Sequence, residues 1–167
     1  GLGLRSPGWC RTAHVKVNGE SIDISGKINE GYAVITRSWK AGDTVELFLE
    51  MPVELVEANP NVRCNAGKVA IQRGPVVYCL EEADNGKNLS SIVIDSDKPL
   101  VAEYDRDFFG GAVIIKGTAS RDSESGWEGK LYRLHQKNTE TFTFKAIPYY
   151  LWANRGEGEM QVWTRCR

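Results

Sequence analysis

Alternation of apolar and polar positions dominates this chain, and it is the alternation of strands. Ala13-His14-Val15-Lys16-Val17 alternates and runs into Asn18-Gly19, a pair suited to a two-residue hairpin because both residues tolerate positive φ. Tyr32 to Arg37 reads as the next strand. Trp39 to Asp43 then turns into Thr44-Val45-Glu46-Leu47-Phe48-Leu49, with Val45, Leu47 and Leu49 on one face. Met51-Pro52 ends that run, since proline cannot donate into a central ladder.

The second half repeats the theme. Lys68 to Arg73, the turn Gly74-Pro75 and Val76 to Glu81 form a predicted hairpin. Glu82 to Asn88 is polar and reads as a loop. Ser91 to Ile94, Ala112 to Thr118 and Thr141 to Ala146 are rich in β-branched and aromatic residues and read as strands. Ser120 to Gly129 is expected to be an exposed hairpin loop. No long window carries a 3.6-residue apolar stripe, so helix is expected only as single turns around Glu54 to Glu57 or Asp105 to Phe109.

About ten short strands with frequent turns predict an all-β, jelly-roll-like β-sandwich architecture. The stretch from Pro52 to Pro60 is the expected joint between a truncated small sandwich unit, 1–58, and a larger second sandwich, 59–167. A first unit of that size is marginal alone and should lean on another body. If upstream strands are missing, an unpaired edge near residues 1–50 favours dimerisation.

Charge removes some partner classes. With 21 basic and 22 acidic residues there is no polyanion footprint, so nucleic acid is not an expected partner. The apolar runs fall short of the roughly 20 residues of a membrane span, and no membrane association is expected. Cys10, Cys64, Cys79 and Cys166 stand far apart, without the close pair that marks most zinc sites. They read as free thiols, and with no leader legible at Gly1 they favour a reducing, cytoplasmic setting.

Candidate chemistry is sparse. Among five tryptophans, Trp9, Trp39 and Trp152 are expected in the core. Trp127, between Ser125-Gly126 and Glu128-Gly129, is the tryptophan expected at the surface. With Tyr132 nearby it is the candidate carbohydrate or interface contact. His14 and His135 have no partner at ligand-like spacing. The Asp95/Asp97 and Asp105/Asp107 pairs read as turn caps. Glu81 and Glu82, adjacent on a strand, would point to opposite faces and cannot flank one glycosidic bond. Arg155, between Asn154 and Gly156 at a turn, is expected to tie loop carbonyls.

Five blocks recur in a recognisable order: Leu4-Arg5-Ser6-Pro7-Gly8-Trp9, Val17-Asn18-Gly19-Glu20, Arg37 to Asp43, Gln72-Arg73-Gly74-Pro75-Val76-Val77-Tyr78, and Ile147-Pro148-Tyr149-Tyr150-Leu151-Trp152-Ala153-Asn154-Arg155-Gly156. Together they resemble the C-terminal portion of glycoside hydrolase family 127, the β-L-arabinofuranosidase family. The resemblance implies an N-terminal (α/α)6 barrel that carries catalysis, followed by two β-sandwich domains. It implies a zinc-bound cysteine nucleophile, an adjacent Cys-Cys pair, a Glu-x-Cys ligand motif and a separate glutamate acid/base. None of these maps onto this sequence: no two cysteines adjoin, and Gly8, Val62, Val77 and Thr164 stand two positions before the four thiols. The expectation is therefore an accessory pair of β-sandwich units with no catalytic, cofactor-binding or metal-binding residue of its own. Its partners would be the missing barrel or a second copy in a homodimer. The alternative is a stand-alone carbohydrate-binding module for a plant-type arabinose glycan.

Overall fold

The structure, a computed structural model, describes residues 1–123, 125–136 and 138–167. The chain divides into two compact units, Gly1–Pro52 and Val53–Arg167. Almost all regular structure is strand, and the fold class is all-β.

The first unit holds β1 (Leu2–Arg5), β2 (Ala13–Val17), β3 (Glu20–Ile22), β4 (Ile28–Asn29), β5 (Tyr32–Ile35) and β6 (Val45–Leu49). They form two antiparallel three-stranded sheets, ordered β1-β5-β4 and β3-β2-β6. Val15 and Val17 from one sheet and Ala33 from the other are buried in one cluster, with Trp39 packed against it. Asn18 and Gly19 take φ of 53° and 81°, as the hairpin between β2 and β3 requires. Asn18 also does more than turn the chain. Its Nδ2 donates to Asp43 Oδ1 at 2.9 Å and its Oδ1 accepts from Thr44 N at 2.8 Å, fastening the turn that precedes β6. Among the described residues β1, β3, β4 and β6 each pair on one side only, and Tyr32, Val34 and Phe48 are exposed.

The second unit begins with β7 (Val53–Glu57), β8 (Lys68–Arg73) and β9 (Val76–Glu81), then a single helical turn, α1 (Glu82–Asn85). There follow β10 (Val93–Ile94), β11 (Val101–Asp105), β12 (Ala112–Asp122), β13 (Thr139–Pro148), β14 (Met160–Gln161) and β15 (Thr164–Cys166). Pairing runs β9-β13-β12-β10-β15-β8 and closes through β8–β9, giving a ring of six strands. β7 adds to β8, β14 to β9 and β11 to β12. All pairs are antiparallel except β10–β15. The period-2 alternation of a strand sorts two cores. Tyr78, Leu80, Ile115, Phe144 and Ala146 belong to the larger cluster, whereas their neighbours Cys79, Ile114 and Ile147 join Phe108 in a second.

Several expectations change here. The units part between Pro52 and Val53 rather than after Ala58, because Val53–Glu57 pairs residue for residue with β8. That pairing also makes Glu54 to Glu57 strand instead of a helical turn. Around Asp105 the chain turns without a helix, Asp105 Oδ1 accepting from Asp107 N at 3.0 Å and Phe108 N at 3.2 Å. The helical turn falls instead on Glu82–Asn85, where a loop was expected. Ser91 closes a short 3-10 turn, and only Val93–Ile94 of the expected strand pairs.

Candidate functional site

Three places in the second unit gather polar or aromatic side chains, and the best organised surrounds Arg155. Glu81 ends β9 and is 7% exposed. Its Oε1 accepts from Ala153 N at 2.8 Å, and its Oε2 accepts from Arg155. Arg155 Nη1 donates to Asp84 Oδ1 at 2.9 Å, while Nη2 serves both Glu81 and the other Asp84 oxygen. Lys145 Nζ lies 3.3 Å from Asp84. Phe108 is flanked by both cations, Lys145 at 4.4 Å and Arg155 at 4.9 Å from the ring centre. Two carboxylates and two cations thus balance.

The scaffold beneath is equally tied. Buried Asn85 donates from Nδ2 to Glu81 O (3.0 Å) and Lys145 O (2.9 Å) and accepts from Lys145 N (2.9 Å), fixing α1 on β13. Glu82 N donates to Glu159 O, and Glu159 N to the Glu82 carboxylate. Glu81 and Glu82 therefore engage different partners and do not face one substrate atom. Burial pushes the Asp84 carboxyl up, but the Arg155 hydrogen bond and the Lys145 and Arg155 charges outweigh it and hold it below the usual carboxylate range. A carboxyl held ionised in this way cannot serve as a general acid. The guanidinium, hydrogen-bonded first of all to Asp84, is held above its ordinary value. The Arg155 expectation changes in kind: its partners are carboxylates, which match the planar fork better than carbonyls do. The left-handed residue beside it is Ala153, φ 62°, with Gly156 at 119°. Asn154 instead spends its amide on Leu151 O and Trp152 O.

The second place is a cleft of about 840 Å³, bordered by Trp127 and by Lys87, Ser90, Arg121, Asp122 and Arg165 among others. Trp127 is half-buried rather than exposed, with the Arg133 guanidinium 4.2 Å from its ring centre. Tyr132 is 89% exposed and does not border the cleft, so the two candidate residues are not brought together. The third place is an exposed apolar surface where Val77 adjoins Tyr149, Tyr149 faces Trp152, and the intervening Tyr150 is exposed. Trp152, expected in the core, is 40% exposed and stacks on Tyr149 at 6.2 Å. Trp9 is half-buried.

The thiols do not fit a zinc centre. All four are free, and among the described residues no three His, Cys, Asp or Glu side chains converge as ligands. Burial, with the Glu81 charge next, pushes the 1%-exposed Cys79 thiol up to about 12, the opposite of what metal binding or nucleophilic attack needs. The native chain should accordingly alkylate at exposed Cys64 at least about a hundredfold faster than at Cys79. Mass spectrometry after brief iodoacetamide treatment measures the ratio, and comparable rates would contradict this burial. His14 is exposed and lies 3.4 Å from Glu50. Of the residues that matter here, the sequence reading had missed Asp84, Lys145 and the polar cleft lining. Their only signal was polar or charged character at positions far apart along the chain, several of them on strands.

Comparison with known proteins places these features. Residues 53–165 match the glycoside hydrolase family 127 C-terminal domain, and residues 1–51 match the β-L-arabinofuranosidase, family 127 middle domain. A non-reducing end β-L-arabinofuranosidase of Bifidobacterium longum subsp. longum is 36% identical over 98% of this chain, which spans 26% of that relative. The crystal structure of a family 127 β-L-arabinofuranosidase from Geobacillus stearothermophilus T6 superposes with a TM-score of 0.94 at 54% identity, covering 99% of this chain and 26% of its own. A family 127 β-arabinofuranosidase designated BT3674 gives 0.81 at 36% identity over 93% of this chain and 23% of its own. The chain thus spans about a quarter of the length of these relatives.

Proposed function

This chain belongs to glycoside hydrolase family 127, and from that premise we propose that it is a non-catalytic accessory region of a β-L-arabinofuranosidase-like enzyme. Its work is to pack against a helical catalytic barrel, or against a second copy in a homodimer, and to stabilise the assembly. The observation that carries this reading is the division of the chain into two units that coincide with the family's middle and C-terminal domains. The Arg155 cluster supports it: its carboxylates are engaged in holding a loop to α1 and are unavailable for proton transfer to a substrate. The exposed surface of Val77, Tyr149, Tyr150 and Trp152 supports a contact with another body, since grouped aromatics are a common signature of interfaces. In the same reading each unit is a jelly-roll-like sandwich.

Two measurements test it. The purified chain, supplied with zinc and reductant, leaves an aryl β-L-arabinofuranoside at its background hydrolysis rate; turnover above background would defeat the non-catalytic role. Joined to the portion of the Geobacillus relative that it does not match, the chain raises that portion's melting temperature. An unchanged melting temperature would remove the packing role.

A further inference from the structure

We propose that the cleft beside Trp127 is a binding site for a neutral oligosaccharide. The cleft stands at one end of the β12–β13 ladder, where Arg121 pairs with Glu140 and Asp122 with Thr139. The segment 87–91 and Arg165 of β15 complete its lining. Its volume, about 840 Å³, lies within the roughly 300–1,000 Å³ of small-ligand sites.

The chemistry of the lining selects the ligand class. Lys87, Arg121 and Arg165 supply donors, Asp122 and Glu140 supply acceptors, and Ser90 supplies both. A phosphate or polyanion would meet two carboxylates beside the three cations, so charge brings it little net gain and sets acceptor against acceptor. A polyol carries donors and acceptors on every ring and no charge, so it satisfies both signs at once.

Some of these groups are committed and some are not. Arg121 is fixed: its guanidinium lies 3.9 Å from the Phe142 ring centre, donates to Asn85 O at 2.7 Å and sits 3.7 Å from Glu140. By contrast, the side chains of Lys87, Ser90, Asp122 and Arg165 make no hydrogen bond or ion pair among the described residues. Four unengaged polar side chains beside one rigid guanidinium are what a hydroxyl-rich ligand would use.

Trp127 supplies the apolar contact. Arg133 stacks on its ring and donates to Ser125 O at 2.8 Å, so the indole is held in place before any ligand arrives. A preorganised aromatic wall loses little entropy on binding and gives the C–H face of a sugar a surface to lie on. Tyr132, though more exposed, is outside the lining and has no part in the site.

Because the chain belongs to family 127, arabinose and a short linear arabino-oligosaccharide are the first probes, with a gluco-oligosaccharide and inorganic phosphate as contrasting arms. Titration of the full chain, followed by calorimetry and tryptophan fluorescence, gives saturable binding of the neutral oligosaccharide and none of phosphate. Trp127→Ala weakens that binding about tenfold or more, the scale of losing a central aromatic anchor. Asp122→Asn, which keeps the shape of the side chain, weakens it several-fold, and Tyr132→Ala leaves it unchanged. No saturable signal at millimolar sugar would overturn the proposal, as would binding of phosphate in its place, or affinity indifferent to Trp127 and Asp122. The assay needs no catalytic domain, so its failure would leave the packing role standing.

Discussion

Arg155→Ala destabilises the second unit by about 3 kcal/mol, the scale of breaking a mostly buried ion pair while leaving its partners in place. Without the guanidinium, Glu81 keeps only the Ala153 amide and Asp84 keeps only Lys145. Loss of the loop's hold on α1 adds to the penalty. Arg155→Lys does not rescue, since an ammonium cannot span Glu81 and both Asp84 oxygens. The cluster also sets a pH dependence. The Asp84 carboxyl is held below its ordinary value in the folded chain. Its stabilisation is therefore fully present above that value and is lost as pH falls through the lower, folded one. Urea unfolding should show stability declining below about pH 4, with a shallower decline in Asp84→Asn. Hydrogen exchange of the α1 amides separates this unit's opening from that of the first. An Arg155→Ala chain as stable as the parent would mean the cluster is ornamental.

Phe144→Ala is expected to cost more, about 4 kcal/mol, because it empties a fully buried aromatic site. Gly117 stands directly opposite Phe144 across β12–β13. A methyl at Gly117 would lie 2.7 Å from the Phe144 ring and 2.5 Å from Leu100 Cδ2. Leu100 can swing its terminal carbon aside, but the Phe144 ring is enclosed. Gly117→Ala should thus cost about 2 kcal/mol through overpacking, despite alanine's better backbone entropy. The two changes are not independent: with the ring gone the methyl has room, so the double variant loses less than the sum. A double-mutant cycle by chemical denaturation measures the difference, and strict additivity would show that the two residues do not share space.

What the sequence made legible was local. Asn18-Gly19 imposes its own backbone geometry, so the first hairpin could be placed residue by residue. Gly74-Pro75 likewise marked the join of β8 and β9. Strand alternation exposed the all-β class, and ordered blocks exposed the family. Features decided by distant partners were hidden. The acids that hold Arg155 lie more than seventy residues earlier in the chain, and nothing in Glu81 or Asp84 distinguishes them locally from solvated carboxylates. The four-residue α1 is too short to show a period and forms because Asn85 docks on β13. Trp152 was misplaced because aromatic content alone cannot tell a core residue from one stacked at a surface. Trp127 was placed outside the core for its polar neighbours, yet Arg133 half-covers it.

The strand that completes the six-membered ring, Thr164–Cys166, is also the latest of the six along the chain, and it inserts between β10 and β8. A polypeptide emerging from the ribosome can form the β8–β9 and β12–β13 hairpins early, but it must carry an open seam until this segment has left the exit tunnel. Nascent chains stalled before residue 164 should therefore be protease-sensitive along β10, and chains in which residues 164–166 have cleared the tunnel should be protected.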